Sequence, residues 1–206
     1  MGEPPTDTGP MTAGPIPNET YLIGHLLIAM PAMQDPNFSK TVTYICEHSE
    51  QGALGIVINR PLGMDLGAIF DQLSLDSTDP TLARQPVLLG GPVHQERGFV
   101  LHEPAEASDR EFDATLAVTD AIRVTTSQDI LAAMARGQGP RRSLVALGYA
   151  GWGAGQLESE LVQNAWLSVP ATAQIIFDTP FDQRWRESAR LLGVDLSTLS
   201  HQAGHA

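Results

Sequence analysis

The run Gly55-Ile56-Val57-Ile58-Asn59-Arg60-Pro61 gives the clearest indication of the fold of this chain. Its aliphatic residues extend back to Leu54 and favour a β-strand, which Pro61 ends because proline cannot donate to a strand ladder. A second strand is predicted at residues 41–47, where β-forming side chains occupy both alternating faces, as in a strand that is covered on both sides. Gln51-Gly52 marks a turn between the two runs. The sequence therefore predicts a β-hairpin.

Further strands and helices are predicted on both sides of this hairpin. Leu66, Ile69, Phe70 and Leu73 recur at the spacing of an amphipathic helix. Because strands come in pairs as well as alternating with helices, the pattern favours an α+β fold with a mixed sheet over a regular doubly wound one. The other predicted strands lie at 22–29, 87–89, 98–102, 114–118, 144–148, 166–169 and 174–177, and the other helices lie at 126–136, at 156–162 and from Thr179, with Pro180 at its first position.

The chain length of 206 residues suits one compact domain. Residues 1–18, rich in proline and glycine, are predicted to form a disordered leader, 19–200 the folded domain and 201–206 a flexible tail. No apolar signal-peptide region is present, and the apolar stretch 21–30 is far short of the ~20 residues that a membrane span needs. A single cysteine excludes an internal disulfide framework. We therefore expect a cytosolic protein with no membrane association.

The charge of the chain argues against nucleic-acid binding. It carries 24 acidic and 12 basic residues, a formal net charge of −12, and Lys40 is its only lysine. Duplex DNA requires a basic face that releases counterions. The richest basic windows are short and lie beside acidic residues, which favours solvated helix faces and makes direct nucleic-acid binding an unlikely function; these windows are Arg136/Arg141/Arg142 and Arg184/Arg186/Arg190.

The triplet Cys46-Glu47-His48 gives the most specific indication of a catalytic site in the sequence. Alternation along a strand predicts that Cys46 and His48 lie on one face and Glu47 on the other. A Cys/His pair could form a thiolate nucleophile if the sulfur were accessible and in electropositive surroundings. A lone cysteine in an aliphatic strand is more often a small buried hydrophobe, and that interpretation is favoured.

Two glycine-rich segments and one histidine pair give weaker signals. Gly90-Gly91-Pro92-Val93-His94 could form an anion-binding nest. A tight turn with positive φ accounts for the same glycines without a bound anion, and it is the favoured interpretation. The segment 148–158 has the strand–glycine loop–helix layout that holds phosphates, yet it lacks a lysine and has Gln156 where a dinucleotide fingerprint requires its third glycine. His201 and His205 have helical metal-pair spacing but lie in the predicted tail. No cofactor and no metal site are predicted.

Taken in order, these residues resemble the YqgE/AlgH family of bacterial proteins across about residues 21–192. The resemblance implies a compact α+β fold with a branched, mixed sheet flanked by helices. The family is largely uncharacterised, and some members carry the label of transcriptional regulator, so the resemblance implies no reaction. The chain has Ser49 where the family pattern often has Asn. The motifs that carry the resemblance are Leu26-Leu27-Ile28-Ala29-Met30-Pro31, Asp35-Pro36-Asn37-Phe38, Cys46-Glu47-His48, Gly52 through Pro61, Gly90-Gly91-Pro92-Val93, Gly148-Tyr149-Ala150-Gly151-Trp152-Gly153, Gly155-Gln156-Leu157-Glu158, Asn164 and Trp166-Leu167.

We expect a non-enzymatic regulatory or interaction protein that acts through a surface cleft on an unknown protein or small-molecule ligand, without binding DNA directly. The alternative is an enzyme that uses Cys46 as nucleophile and His48 as its partner. Polar groups at strand ends and glycine loops of a sheet fold commonly line ligand sites. The residues predicted to line the cleft are Cys46, His48, Asn59, Arg60, Gly91, Trp152, Gln156, Glu158 and Asn164.

Overall fold

The structure, a computed structural model, describes residues 21–104, 112–196 and 199. The predicted leader at 1–18 and the predicted tail at 201–206, with its histidine pair, lie outside the described residues. The described strands are β1 (His25–Ala29), β2 (Val42–Ser49), β3 (Gly52–Val57), β4 (Pro61–Asp65), β5 (Pro86–Leu89), β6 (Val93–His102), β7 (Thr115–Ala117), β8 (Arg123–Thr125), β9 (Ser143–Gly153) and β10 (Trp166–Pro170). The described helices are α1 (Leu66–Gln72), α2 (Pro80–Ala83), α3 (Asp129–Ala135), α4 (Gln156–Val162) and α5 (Arg184–Arg190), with a π-helical segment at Gln174–Asp178.

The predicted hairpin is confirmed. β2 and β3 pair in antiparallel fashion from Thr43 opposite Val57 to Ser49 opposite Gly52. The first five residues of β2 are buried, as expected for a strand that is covered on both faces. The register shifts between Ile45 and Glu47, which places a β-bulge in the middle of β2.

The strands form one sheet in which β9 is the branch point. The order is β10-β1-β2-β3-β9-β6-β8-β7, with β5 beside β9 and β4 beside β5. β9 is long enough to pair with β3 through its last residues, with β5 through Ala146 and Leu147, and with β6 on its other edge. β5 runs parallel to β9, whereas the other described pairs are antiparallel. The α+β class with a mixed, branched sheet is therefore confirmed.

The sheet curls, so that β7 and β8 come close to β1 and β2. Val124 of β8 belongs to the same core cluster as Leu26 and Tyr44. A methyl group added at Gly24, just before β1, would lie 2.6 Å from Cγ2 of Thr119, just after β7. The π-helical segment and α5 cover this core, α4 covers the opposite face of the β2–β3 hairpin, and α1 with α3 pack on a third cluster.

The strand predicted at 174–177 is wrong, because this segment is π-helical. An apolar run of this length does not by itself distinguish a strand from a buried helical turn. The side chain of Thr172 accepts a hydrogen bond from the Ile175 amide at 3.3 Å, and its carbonyl accepts one from the Ile176 amide at 3.2 Å. These two bonds fix a helical start that the residue pattern does not reveal.

The strand predicted at 144–148 is too short, and the predicted glycine loop is correspondingly too long. β9 continues through Gly153, and only Ala154 and Gly155 form the turn into α4. β4, β8 and α2 were not predicted, since each is short. No helix in the described part of the chain is long and apolar enough to cross a membrane.

Candidate functional site

His48, near the end of β2, is buried, with 4% of its surface exposed. Its Nδ1 accepts a hydrogen bond from the Leu22 amide at 2.9 Å. Because Nδ1 supplies a lone pair there, the proton of the neutral ring lies on Nε2, which donates to Oε1 of Glu158 at 2.8 Å. The ring of Tyr21 packs edge-on against the imidazole, with 5.2 Å between centroids. His48 thus ties the segment before β1 to helix α4.

Glu158 lies in the first turn of α4, and its side chain is 42% exposed. Its pKa is lowered first by a hydrogen bond from its own backbone amide and then by the hydrogen bond from His48. A carboxylate near a helix N-terminus also complements the helix dipole. The predicted residues His48 and Glu158 are therefore brought together, as a hydrogen-bonded pair of a buried imidazole and a partly exposed carboxylate at the sheet–helix junction.

The prediction that Cys46 and His48 share a face of the strand is wrong. The bulge at this point breaks the two-residue alternation. Cys46 packs in the cluster with Tyr44 and Ile56, whereas Ala53, the register partner of His48, belongs to the cluster under α4. His48 therefore cannot act as the base for this thiol.

The Cys46 thiol is held in its neutral form. The residue is 2% exposed, and burial, followed by the charge of Glu47, raises the pKa of the thiol well above its usual range. Its Sγ donates to the Tyr44 carbonyl at 3.7 Å. A reactive thiolate needs the opposite surroundings, namely access and positive charge. The geometry does not favour the enzyme alternative.

Glu160, which the sequence did not single out, organises the α4 side of the site. Its Oε2 accepts from the indole Nε1 of Trp152 at 3.0 Å and of Trp166 at 2.8 Å, and its Oε1 accepts from Nε2 of Gln156 at 2.9 Å. Oε1 of Gln156 accepts from the Gly153 amide at 3.0 Å. Trp152 and Gln156, both predicted cleft residues, thus have their polar atoms used within the fold. The tryptophans are the feature of the sequence that could have indicated Glu160, because a buried indole N–H group requires a hydrogen-bond acceptor.

Asn59 and Arg60 lie at the other end of the hairpin and do not join this site. The Asn59 side chain accepts from the Val42 amide at 2.8 Å and donates to the Lys40 carbonyl at 2.9 Å. Nη2 of Arg60 donates to the Ser39 carbonyl at 3.0 Å. Both side chains fix the loop before β2.

Gly91 and Asn164 have backbone roles. Gly91 has a φ of +156°, and a Cβ there would lie 2.1 Å from the carbonyl carbon of Tyr149, so glycine permits a close approach of two backbones. Asn164 has a φ of 57°, and its amide donates to the Leu161 carbonyl at 3.0 Å just after α4. Asparagine tolerates this left-handed conformation better than most residues.

A shallow cleft of about 670 Å³ lies where the hairpin, β9 and β7 meet. Three of the predicted residues, Cys46, His48 and Trp152, contribute to its lining, whereas the other six do not. Two lining residues are apolar and exposed, Ile23 at 41% and Leu116 at 38%. The full lining is Ile23, Cys46, Glu47, His48, Ser49, Gln51, Gly52, Ala53, Leu54, Leu116, Ala117, Val118, Tyr149, Gly151 and Trp152.

A second groove, of about 690 Å³, lies beside α5 and gathers Lys40, Arg186 and Arg190 around Trp185. Arg190 forms an ion pair with Glu187, and Asp195 also lines the groove. The predicted basic window at α5 is thus only partly a solvated face, because its first member, Arg184, is buried.

Comparison with known proteins identifies the family. The sequence matches the AlgH-like family profile over residues 26–197. The chain belongs to this family. The resemblance seen in the sequence is therefore confirmed.

Relatives of this AlgH-like chain are similar over nearly their whole length. A UPF0301 protein of Nitrosospira multiformis is 55% identical over 185 residues, which are 90% of this chain and 97% of that protein. A UPF0301 protein of Nitrosococcus oceani is 52% identical over 186 residues, with the same shares. The solution structure of AlgH from Pseudomonas aeruginosa is 50% identical and covers 95% of this chain and 99% of that chain, with a TM-score of 0.72. Protein DIP2367 of Corynebacterium diphtheriae, 22% identical, shares the fold, with a TM-score of 0.68 over 86% of this chain and 90% of that chain.

Among the described strands, β7 has one unpaired edge, which lies next to the cleft. The amide of Val118 donates to the Ile122 carbonyl, and the amide of Thr126 donates to the Ala114 carbonyl. Because hydrogen-bonded pairs alternate along an antiparallel ladder, the bonds to β8 are made by Leu116, and the N–H and C=O groups of Thr115 and Ala117 point away from it. Within the described ranges no strand pairs with this second edge.

The described residues contain no group of three or more His, Cys, Asp or Glu side chains placed to hold a metal ion.

Proposed function

We propose that this AlgH-like protein is a non-enzymatic interaction protein whose cleft binds an extended peptide segment of a partner protein. The observation that carries the proposal is the combination, in one cleft, of exposed apolar side chains with an open strand edge. The preferred segment is apolar at alternate positions and carries Lys or Arg between them.

The strand edge supplies the main-chain part of this recognition. Thr115 and Ala117 present N–H and C=O groups that a peptide could pair with as an additional strand beyond β7. Ala117 also lines the cleft. An added strand would therefore lie in the cleft rather than project into solvent.

Ile23 and Leu116 supply the apolar part. Single exposed apolar residues are ordinary, but these two line one concave surface together with Leu54 and Val118. An extended peptide places every second side chain on one face, which suits pockets of this kind.

The charge of the cleft determines which peptide fits. Glu47 lines the cleft and is exposed, and the described residues of the lining include no Lys or Arg. The whole chain carries a net charge of −12. A basic segment would be attracted to this surface, and an acidic one repelled.

A protein that binds another protein can have a regulatory function without contacting DNA itself. The cleft beside β7 combines apolar side chains with the Glu47 carboxylate, which is unfavourable for a polyanion. Regulation would then pass through the partner protein.

The proposal is tested by selecting binders from a displayed library of random peptides and comparing two variants of the protein. Leu116→Lys places a charge in the cleft, and Leu62→Lys is the matched control, since Leu62 is also 38% exposed, lies in strand β4 and does not line the cleft. We expect apolar-basic peptides whose affinity falls by at least about tenfold in Leu116→Lys, a loss of about 1.4 kcal/mol, and is unchanged in Leu62→Lys.

Equal loss of binding in both variants, or selected peptides that bind elsewhere than the cleft, would contradict the proposal. A selection that yields only acidic peptides would contradict the assignment of the partner's charge.

A further inference from the structure

Arg184 is a buried cation in helix α5, with 1% of its surface exposed. Its Nε donates to the Thr179 carbonyl at 2.9 Å, and its Nη1 donates to the Ile58 carbonyl. The ring of Phe181 lies against the guanidinium, 4.4 Å from Cζ to the ring centroid. The side chain is therefore held rigidly in place.

The charge of this guanidinium has no anionic hydrogen-bond partner among the described residues. Asp178 acts on it through its charge, but the Asp178 carboxylate is hydrogen-bonded to Arg142. Burial is the largest effect on the group and lowers its pKa to about 10. Two of its five N–H donors are hydrogen-bonded within the described ranges, both to neutral carbonyls. A buried charge that is not hydrogen-bonded to an anion carries a large desolvation cost.

A cavity of about 130 Å³ lies against Arg184, where the first residues of β5 and β9 meet the end of the π-helical segment. Its lining combines polar groups of Gln85 and Ser143 with the rings of Phe177 and Phe181. Since a water in the liquid occupies about 30 Å³, this space suits a small molecule of a few non-hydrogen atoms. The remaining lining residues are Leu66, Pro86, Leu144 and Val145.

We infer that this cavity is a binding site for a small carboxylate anion, with Arg184 as its receptor. The guanidinium offers planar donors that match a carboxylate, and Ser143 and Gln85 can donate further hydrogen bonds. The aromatic and aliphatic lining favours an organic monoanion with a short apolar part, as in acetate, over a strongly hydrated dianion such as phosphate. The site is separate from the peptide cleft, since no residue lines both.

The inference is tested on the wild-type protein by titration with sodium acetate, followed through the NMR signals of the arginine side-chain Nε–H groups. We expect the Arg184 signal to shift in a saturable way and the Arg190 signal, on an exposed ion-paired arginine, to move far less. Sodium chloride at equal ionic strength serves as the reference and should produce no saturable shift of Arg184.

Thermal unfolding provides the second measurement. Acetate at about 100 times its dissociation constant should raise the unfolding temperature relative to chloride, because a ligand that binds only the folded state stabilises it. Arg184→Lys should lose this increase, whereas Arg190→Lys, at an exposed position on the same helix, should retain it. An Arg184 signal that does not saturate with acetate or formate, or that responds equally to chloride, would overturn the inference, even if Arg184→Lys failed to fold.

Discussion

Cys46 is kept inert by its position rather than by a particular partner. It lies among aliphatic and aromatic side chains of the hairpin core, and its thiol pKa is raised because the thiolate would be desolvated there. His48, two residues further along β2, faces the other side of the sheet. Its two ring nitrogens are hydrogen-bonded to the Leu22 amide and the Glu158 carboxylate. The lone cysteine thus behaves as a small hydrophobe.

The burial of Cys46 predicts that its thiol is alkylated slowly. In the native protein Cys46 should react with iodoacetamide at neutral pH more than about tenfold more slowly than in the denaturant-unfolded protein, since even a one-unit rise in pKa reduces the thiolate fraction tenfold. Mass spectrometry of timed samples measures both rates. Native reactivity equal to or above that of the unfolded chain would revive the nucleophile hypothesis.

Glu160 stabilises the fold locally, because its carboxylate accepts hydrogen bonds from two indole N–H groups and one side-chain amide. Glu160→Gln removes the negative charge and should lower the free energy of unfolding by about 1–2 kcal/mol, because charged acceptors form stronger hydrogen bonds than neutral ones. It should also change the fluorescence of Trp152 and Trp166. Glu50→Gln, at an exposed position in the hairpin turn, is the control and should change neither by a measurable amount. Similar losses in both variants would show that Glu160 has no special role.

At the level of elements, Arg142 joins three parts of the chain. Just before β9, it forms ion pairs with Glu103, which follows β6, and with Asp178, at the end of the π-helical segment. The hydrogen bond from Arg142 is the largest cause of the lowered pKa of Glu103. This network lies beside the Arg184 cavity and holds the segment that covers it.

The lowered pKa of Glu103 predicts a pH-dependent stability. Since the folded-state pKa lies below its usual value of 4.5, the contribution is present above that value and is lost as the pH falls through the folded-state pKa. Glu103→Gln should therefore lower the free energy of unfolding by about 1 kcal/mol at neutral pH and have almost no effect in strong acid. Urea denaturation at several pH values measures this difference. Glu187→Gln, in the exposed pair with Arg190, should have little effect at any pH, and a Glu103→Gln effect that is independent of pH would contradict the assignment.

The sequence predicts local elements well and long-range relations poorly. The hairpin follows from two β-forming runs and a turn, and α4 follows from its position after Gly155. The bulge at Cys46 does not follow, because it depends on the register against β3, which no local pattern fixes. That Asn59 and Arg60 lie apart from the other predicted cleft residues could not be read from the sequence for a similar reason. The antiparallel register of the hairpin places them beside the residues at the start of β2, far from its other end, where Cys46 and His48 lie.

For the whole molecule, the curl of the sheet creates the candidate site. It brings the open edge of β7 beside the β2–β3 hairpin, although about 60 residues separate these elements in the chain. No single segment of the sequence contains the cleft. Membership of the AlgH-like family is readable from ordered motifs, whereas the apolar residues Ile23 and Leu116, which carry the proposed binding, lie outside those motifs.

Amide hydrogen exchange at β7, measured by NMR with and without a selected apolar-basic peptide, tests peptide binding by strand addition most directly. In the free protein Thr115 and Ala117 should exchange quickly and Leu116 slowly, because only Leu116 is bonded to β8. With the peptide bound, Thr115 and Ala117 should become protected, while the amide of exposed Leu62 on β4 should be unaffected. Peptide binding that leaves the Thr115 and Ala117 amides as fast as in the free protein would contradict strand addition at this edge.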